Sequence, residues 1–279
     1  MLRNSIKFVN FYYRIPAFNN MKLRFVFFAL IAFMFLNFTF DSSKPTLFII
    51  GDSTVKNGAG KGSDDMWGWG SLIHEFFDTT KISVENHAIG GRSSRTFLTD
   101  GRWEKILPKL KKGDFLLIQF GHNDNWAIND TLRARGTIRG VGNEIEEIDN
   151  LITKKHEVVH SFGWYLRKYV DETKAKGATP ILCSLVPRSS WTEGKVNRSN
   201  DSYALWTKQV AESNNAFFID LNELVSLEYE KEGELAVKSK YFTPKDNTHT
   251  NKAGAMLNAT SVVSGLKKLK KCKLRKYLK

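Results

Sequence analysis

The sequence predicts a three-layer α/β/α fold built around a five-stranded parallel sheet. Short apolar runs recur along the chain, and amphipathic stretches of helix length lie between them. Strands that alternate with helices form right-handed crossovers, which give a parallel sheet covered on both faces. The predicted strands are Pro45–Ile50, Ile82–Ala88, Phe115–Phe120, Pro180–Val186 and Phe217–Leu221. The predicted helices are Trp67–Phe77, Trp103–Leu110, Glu157–Lys176, Tyr203–Ser213 and Lys252–Leu266.

The chain divides into an N-terminal segment, a single domain and a basic tail, at residues 1–41, 42–266 and 267–279. In the N-terminal segment, the basic stretch that begins at Met21 precedes an apolar run, Phe25–Phe40. This pattern is typical of a secretory signal and is short for a membrane span. We therefore expect export to the periplasm or the extracellular space, with an uncleaved membrane anchor as the alternative. No Ala-x-Ala cleavage site precedes Asp41, and translation starts at either Met1 or Met21.

The net charge of +13 lies at the two ends of the chain. Residues 1–24 and 267–279 contain basic residues and no acid, and together they account for the whole excess. Because the body between them is formally neutral, we expect no nucleic-acid partner. A basic tail of this kind is usually a solvated or disordered end, and contact with an acidic polymer or a membrane surface is the alternative. We expect a monomer.

The sequence predicts neither a metal site nor a cofactor. Two cysteines, Cys183 and Cys272, are too few for a disulfide framework or a metal cluster, so we expect two unpaired thiols. His156 and His160 have the spacing of a two-histidine metal face on a helix. They lack the His-Glu-x-x-His pattern, however, and no third ligand is evident.

Three polar turns that contain glycine follow the first three predicted strands. They are Gly51-Asp52-Ser53, Gly90-Gly91-Arg92-Ser93 and Gly121-His122-Asn123-Asp124. In open parallel sheets, functional sites form beyond the carboxyl ends of the strands, so these turns predict a site at this edge, the rim of the sheet. The long stretch Asn125–Lys155 has no clear strand or helix period, and we interpret it as a cleft-lining insertion or as surface decoration.

Ser53, Asp246 and His249 form a candidate set for nucleophilic catalysis. A serine hydroxyl needs a base to take its proton, and that base needs an acceptor on its other nitrogen. Asp246 and His249 supply both partners within one turn before the last predicted helix. Taken alone, Ser53 also fits an ordinary turn residue, and Asp-x-x-His also occurs by chance.

An oxyanion hole is the second requirement, because negative charge develops on the carbonyl oxygen during attack. The candidate donors are the backbone N–H groups of Ser53 and Gly91 and the side-chain amide of Asn123. Glycine at position 91 lets a substrate approach the backbone closely. The alternative for Gly90-Gly91 is an ordinary tight turn, and the alternative for Asn123 is a turn residue that bonds its own backbone. All of these features occur in order, each at the end of a predicted strand or before the last helix, and this combination favours catalysis.

Possible substrate-binding residues are His122, Arg92, Trp126 and Arg135. Flat faces that suit sugar rings are offered by Trp126 and also by Trp67, Trp69 and Trp191, although core packing is the commoner use of tryptophan. Arg92, Arg95 and Arg135 are able to pair with carboxylates of an acidic polysaccharide or with acids of their own fold. His122 fits a contact with a substrate oxygen and a structural role in the turn equally well.

The motifs at the rim, in this order along the chain, resemble the successive blocks of the GDSL/SGNH hydrolases. Within that family, the closest resemblance is to the rhamnogalacturonan acetylesterases and their bacterial relatives. The segments that carry it are Gly51–Val55, Gly90–Phe97, Arg135–Thr137, Lys154–His160 and Asp246–Asn251.

This resemblance implies a flavodoxin-like fold and a serine esterase that needs no cofactor. It assigns Ser53 as nucleophile, His249 as general base and Asp246 as the acid that orients it, with Ser53, Gly91 and Asn123 as oxyanion donors. The implied substrate is the O-acetyl ester of a cell-wall polysaccharide, a rhamnogalacturonan-type pectin. The alternatives are an esterase acting on xylan, other acetylated glycans or small lipid-like esters, a metallophosphoesterase, and a non-catalytic glycan-binding module.

Overall fold

The computed structural model describes residues 44–279. The predicted signal, with its apolar run Phe25–Phe40, lies outside the described residues. Within the described range, no helix combines the length and the apolar character needed to cross a membrane. Lys44–Lys279 form one compact unit, which contains all three rim turns.

Parallel strands form the central sheet. The strands of the described range are β1 (Thr46–Gly51), β2 (Ser83–Asn86), β3 (Phe115–Gln119), β4 (Ile145–Asp149), β5 (His156–His160), β6 (Thr179–Cys183), β7 (Trp191–Thr192), β8 (Lys195–Val196) and β9 (Phe217–Ile219). The sheet has the spatial order β2-β1-β3-β6-β9, and all of its pairs are parallel. β1 and β3 therefore lie at the centre, and both end at the rim.

Helices cover both faces of this sheet. The α-helices of the described range are α1 (Ser94–Thr99), α2 (Phe162–Ala175), α3 (Tyr203–Ser213), α4 (Leu221–Glu232), α5 (Glu234–Tyr241) and α6 (Lys252–Lys268). Leu47 and Ile49 of β1 pack in one buried cluster with residues of α4, α5 and α6. Phe48 and Ile50 pack in a second cluster with residues of α1, α2 and α3. Because side chains alternate along a strand, this division gives the predicted three layers.

All five predicted strands of the sheet are present, with ends shifted by a few residues. The prediction for Tyr203–Ser213 agrees with α3, and α6 extends slightly beyond its prediction. The predicted helices Trp67–Phe77 and Trp103–Leu110 are wrong, because each forms short 3₁₀ turns instead. The first contains Gly68 and Gly70, and the second contains Pro108, residues that disfavour a continuous α-helix.

The predicted helix Glu157–Lys176 begins too early. Its first residues belong to β5, which pairs antiparallel with β4, and α2 begins only after its N-cap Ser161, whose side chain accepts from Trp164 N. The stretch Asn125–Lys155 therefore contributes β4 to a hairpin. Helices α1, α4 and α5 and the small β7–β8 hairpin were not predicted.

The expectation of a solvated or disordered C-terminal tail is wrong. Cys272 and Leu274 are buried in the same cluster as Leu47, and the backbone at Tyr277 accepts a hydrogen bond from Asp78 N at 2.8 Å. The basic side chains between these residues remain exposed. Both thiols are unpaired as expected, and burial raises the pKa of each.

Candidate active site

Residues Asp52–Lys56 form a tight turn directly after β1, the serine turn. The Asp52 carbonyl accepts a hydrogen bond from Val55 N at 3.2 Å. Its buried carboxylate accepts from the backbone N and Oγ1 of Thr54 at 2.8 and 2.7 Å. Burial raises the pKa of Asp52, and the Thr54 hydrogen bonds oppose that rise. Because Asp52 turns inward, Ser53 is left half-buried at the rim.

A continuous chain of hydrogen bonds joins Ser53, His249 and Asp246. Ser53 Oγ lies 2.8 Å from His249 Nε2, and His249 Nδ1 lies 2.7 Å from Asp246 Oδ2. An ionised carboxylate only accepts hydrogen bonds, so Nδ1 carries the ring proton and Nε2 presents its lone pair to the serine hydroxyl. The fold thus brings together two residues that are 196 positions apart in the chain.

The Asp246 carboxylate is held in its ionised form. Its Oδ1 accepts the backbone N–H groups of Thr248 and His249, both at 2.7 Å. Partial burial acts to raise the pKa of Asp246, but these bonds and the His249 side chain hold the pKa below its ordinary value. The same backbone bonds fold residues 246–250, the histidine loop, into the turn that places the imidazole against the serine.

A short segment that begins at Trp67 connects the serine turn with the histidine loop. Trp67 N donates to Thr250 O at 2.8 Å, and two residues later Trp69 N donates to Thr54 O at 3.0 Å. The buried indole N–H of Trp69 donates to Gln119 Oε1 at 2.7 Å. Gln119 Nε2 then donates to Thr54 Oγ1, also at 2.7 Å. These contacts fix both loops against the end of β3.

Unused hydrogen-bond donors lie beside Ser53. Gly91 has φ +77°, a value that favours glycine, and a methyl group at Gly90 would lie 3.6 Å from Ser53 Cβ. The backbone N–H groups of Ser53 and Gly91 find no acceptor among residues 44–279. The buried amide of Asn123 donates to Arg92 O at 2.9 Å, which leaves its second N–H for a ligand. All three predicted donors are therefore present at the rim.

Asp124 ties the third rim turn to the start of α1. Its Oδ1 accepts from Ser94 N at 3.0 Å and from Ser94 Oγ at 2.5 Å, and its Oδ2 accepts from Gly121 N at 3.0 Å. Burial raises the pKa of Asp124 to about 7, and the bonds from Ser94 and Gly121 oppose the rise. Because Asn123 is the preceding residue, the position of its amide depends on this buried carboxylate.

His122 is buried and neutral near the histidine loop. Burial lowers the pKa of His122 to about 3; the charges of Arg188 and His249 add to the effect, and a bond to the Val186 backbone opposes it. His122 Nε2 has no partner in the described part of the chain. With this pKa, His122 is too weak a base to share the role of His249, and its contact with substrate stays a prediction.

Two of the predicted arginines pair with acids of their own fold. Arg92 Nε lies 2.6 Å from Asp100 Oδ2. Arg95 is fully buried, and its guanidinium makes two bonds of 2.6 Å to the carboxylate of Glu157. It also donates to backbone carbonyls of the long insertion. Arg95 therefore anchors that insertion and is not available to a substrate.

Arg135 differs because it forms no ion pair with a carboxylate of the described residues, although the charges of Asp52 and Asp124 act on it. It is buried, its Nη1 donates to Gly91 O at 3.1 Å, and its guanidinium lies 4.8 Å from the ring centre of Trp126. Burial lowers the pKa of Arg135 to about 10, and the neighbouring charge of Arg133 adds to this effect. At neutral pH, Arg135 is still a cation, and it lies against the oxyanion glycine.

The histidine pair His156 and His160 does not form a metal face. The two residues lie at opposite ends of β5, so they are separated by a strand and not by one helical turn. His156 contacts Asp149 at 3.2 Å, and His160 stacks on Trp164 with ring centroids 3.7 Å apart. Across residues 44–279, no group of three or more metal-ligating side chains is arranged to hold an ion.

Sequence reasoning missed the residues that hold the site together. Asp124 lies within a recognised block but has no predicted role, Gln119 has no predicted part in the site, and Trp67 is predicted only as one of four possible sugar-binding surfaces. A usable signal for Gln119 was its position as the single polar residue of an apolar strand. Trp67 offered no comparable signal, because its partner Thr250 is distant in the chain.

These features define the site of a serine hydrolase: a serine hydroxyl, a histidine oriented by a carboxylate, and unused N–H donors at one rim. The chain belongs to the GDSL-like Lipase/Acylhydrolase family, which it matches over residues 49–257. That range includes both the serine turn and the histidine loop. The predicted family is therefore confirmed.

Relatives of known name support a narrower grouping. A rhamnogalacturonan acetylesterase of Emericella nidulans is 28% identical, over 79% of this chain and 84% of that protein. The probable rhamnogalacturonan acetylesterase YesY of Bacillus subtilis is 30% identical, over 80% of this chain and 93% of that protein. The predicted resemblance to rhamnogalacturonan acetylesterases is therefore confirmed.

Solved structures show the same fold. The YXIM protein of Bacillus subtilis superposes with a TM-score of 0.66 at 28% identity, over 82% of this chain. This chain spans 58% of that structure's length. The acetylxylan esterase Axe2 of Geobacillus stearothermophilus superposes with a TM-score of 0.54 at 20% identity, over 80% of this chain and 94% of that one. These similarities confirm the three-layer architecture.

His249→Gln should lower the rate of ester hydrolysis by about 10²–10⁴-fold, because a side-chain amide cannot take the proton from Ser53 Oγ, which now lies 2.8 Å from His249 Nε2. The initial rate with p-nitrophenyl acetate measures the loss. Circular dichroism controls for unfolding of the variant, and a folded variant that keeps the wild-type rate would contradict the role of His249.

Asp124→Asn should lower the free energy of unfolding by about 1–3 kcal/mol, because one amide NH₂ would face the N–H donors that now bond a carboxylate. It should also lower kcat/KM through displacement of Asn123. Urea unfolding and ester hydrolysis measure the two effects. Asp201→Asn, at an exposed position, is the matched control. Equal stability of both variants would show that the Asp124 contacts are not needed.

Proposed function

We propose that this protein is a serine esterase that removes O-acetyl groups from a cell-wall polysaccharide, with rhamnogalacturonan-type pectin as the substrate. The observation that carries the proposal is the hydrogen-bonded chain from Ser53 through His249 to Asp246 beside the unused N–H groups. The named relatives support the acetyl ester and the pectin substrate.

In the first half of the reaction, Ser53 Oγ attacks the acetyl carbonyl carbon while its proton passes to His249 Nε2. The carbonyl electron pair moves onto oxygen, and the resulting oxyanion is bound by the N–H groups of Ser53, Gly91 and Asn123. Each such donor contributes roughly 3 kcal/mol of transition-state stabilisation. Collapse of the intermediate breaks the bond to the sugar oxygen, which takes the proton from His249.

In the second half, water attacks the acetyl group that is now bonded to Ser53. His249 takes one proton from the water and returns it to Ser53 Oγ as acetate leaves. Asp246 keeps its negative charge throughout and stabilises the imidazolium that forms twice in the cycle. These residues complete the reaction without a cofactor.

Acetate release from acetylated rhamnogalacturonan oligosaccharides tests this function. Ser53→Ala should lower kcat by about 10⁴-fold or more, because the nucleophile is removed. Ser213→Ala, at an exposed position on α3, is the matched control and should keep full activity. Retained activity of Ser53→Ala would refute the mechanism. Faster release from acetylated xylan, or cleavage of p-nitrophenyl acetate alone, would refute the pectin substrate.

We also propose that the protein is exported by way of the apolar run Phe25–Phe40 and acts as a monomer. Leu30→Arg places a charge in that run and should retain the protein in the cytoplasm, whereas Leu30→Ile should not. Cell fractionation measures the distribution, and size-exclusion chromatography with light scattering measures the mass. Equal distribution of the two variants would show that this run does not direct export.

A further inference from the structure

A cavity of about 740 Å³ opens directly beside the oxyanion glycine, Gly91. Cavities of roughly 300–1,000 Å³ hold ligands of the size of a small oligosaccharide. Its lining contains more cations than anions: Arg92, Arg133, Arg135 and Lys155 against Asp100 and Glu157. The cavity is thus a basic pocket that adjoins the place where the ester is cleaved.

The two acids of this pocket are already engaged. Asp100 bonds Arg92 at 2.6 Å, and Glu157 bonds the buried Arg95 through both oxygens. Asn150 donates a further bond of 2.9 Å to Glu157. Neither carboxylate is left to neutralise the remaining cations of the lining.

Three cations therefore face the pocket without an ion pair among residues 44–279: Arg133, Arg135 and Lys155. The charges of Asp52 and Asp124 also act on Arg135, but neither carboxylate forms a hydrogen bond with its guanidinium. Asp130 lies close enough to interact with Arg135, but its Oδ1 accepts three backbone N–H groups of its own turn. Arg135 is buried, and its Nε has no hydrogen-bond partner there. A buried cation with an unused donor is costly unless a ligand supplies the acceptor.

Trp126 adds an aromatic face to the same region. Both Arg133 and Arg135 lie over its ring, 5.3 and 4.8 Å from the centroid, and the side chain is still 47% exposed. Cation–π contacts hold the guanidinium groups in place and leave part of the ring for a pyranose. The surroundings of the pocket thus combine positive charge with a surface that suits a sugar.

We propose that this pocket binds the carboxylate of a uronic acid residue in the acetylated glycan, with Arg133, Arg135 and Lys155 as its cationic partners. The inference rests on the proposed acetylesterase function and identifies how the substrate is selected. A guanidinium forms paired hydrogen bonds with a carboxylate, whereas a neutral glycan leaves all three cations uncompensated. The enzyme therefore prefers acetylated acidic glycans to acetylated neutral ones.

A matched pair of substrates tests this selectivity. One is an acetylated oligogalacturonide, and the other is the same compound with its carboxyl groups reduced to primary alcohols. The double variant Arg133→Gln, Lys155→Gln changes two exposed side chains, so the fold should be kept. We expect its kcat/KM for the acidic substrate to fall by about tenfold or more relative to the reduced substrate, because two charge-assisted contacts are lost.

Lys267→Gln, Lys268→Gln is the control, because it removes the same charge from exposed positions at the end of α6. It should keep the wild-type ratio between the two substrates. Added salt should weaken the preference of the wild type for the acidic substrate. An equal loss on both substrates in the pocket variant, or a wild type that shows no preference, would overturn the proposal.

A binding measurement separates this inference from the proposed function. Calorimetric titration of Ser53→Ala with unacetylated oligogalacturonide should show binding that is weakened when Arg133→Gln and Lys155→Gln are added. If acetate release fails but this binding is seen, the carboxylate pocket stands and the esterase function falls. If acetate is released but no binding difference is found, the function stands and the pocket proposal falls.

Discussion

The buried carboxylate of Asp124 is the contact on which the geometry of the rim depends. It accepts hydrogen bonds from Gly121 N and from two groups of Ser94, so it joins the turn after β3 to the start of α1. The neighbouring bond from Asn123 to Arg92 O links the same two segments. Burying a carboxylate costs free energy unless its oxygens accept hydrogen bonds. Neither segment can therefore shift without breaking the bonds to Asp124.

Recognition and catalysis share residues because the rim turns are bonded to one another. Arg135 donates to Gly91 O, and the N–H of the same glycine is a proposed oxyanion donor. Gly91 also lines the basic pocket, so the pocket adjoins the proposed oxyanion site. Asn123 likewise has two contacts to make. One N–H of its amide donates to Arg92 O, and the other is left for the substrate. A carboxylate bound in the pocket would thus be held at a fixed distance from the ester.

The inner strands β1, β3 and β6 could be predicted from the sequence because they are buried on both faces and read as apolar runs. The order of the rim turns then followed from the rule for parallel strands. The packing of Leu274 and the partner of Arg95 could not be predicted. Each depends on a contact with a distant part of the chain, and local periodicity carries no information about it. The sequence shows that arginines lie in and near the rim turns, but it does not show which of them forms an ion pair in the fold.

The distance in sequence between Ser53 and His249 has a consequence for the folding of the chain. A folding intermediate that has assembled only β1, β2 and β3 would present the serine at its proper turn but would have no base to activate it. The histidine loop leads directly into α6, which packs on the sheet beside Leu47, and Trp67 N donates to Thr250 O of the same loop. Ester hydrolysis therefore requires both ends of the domain to be assembled, and its recovery on refolding reports the moment at which the two loops meet.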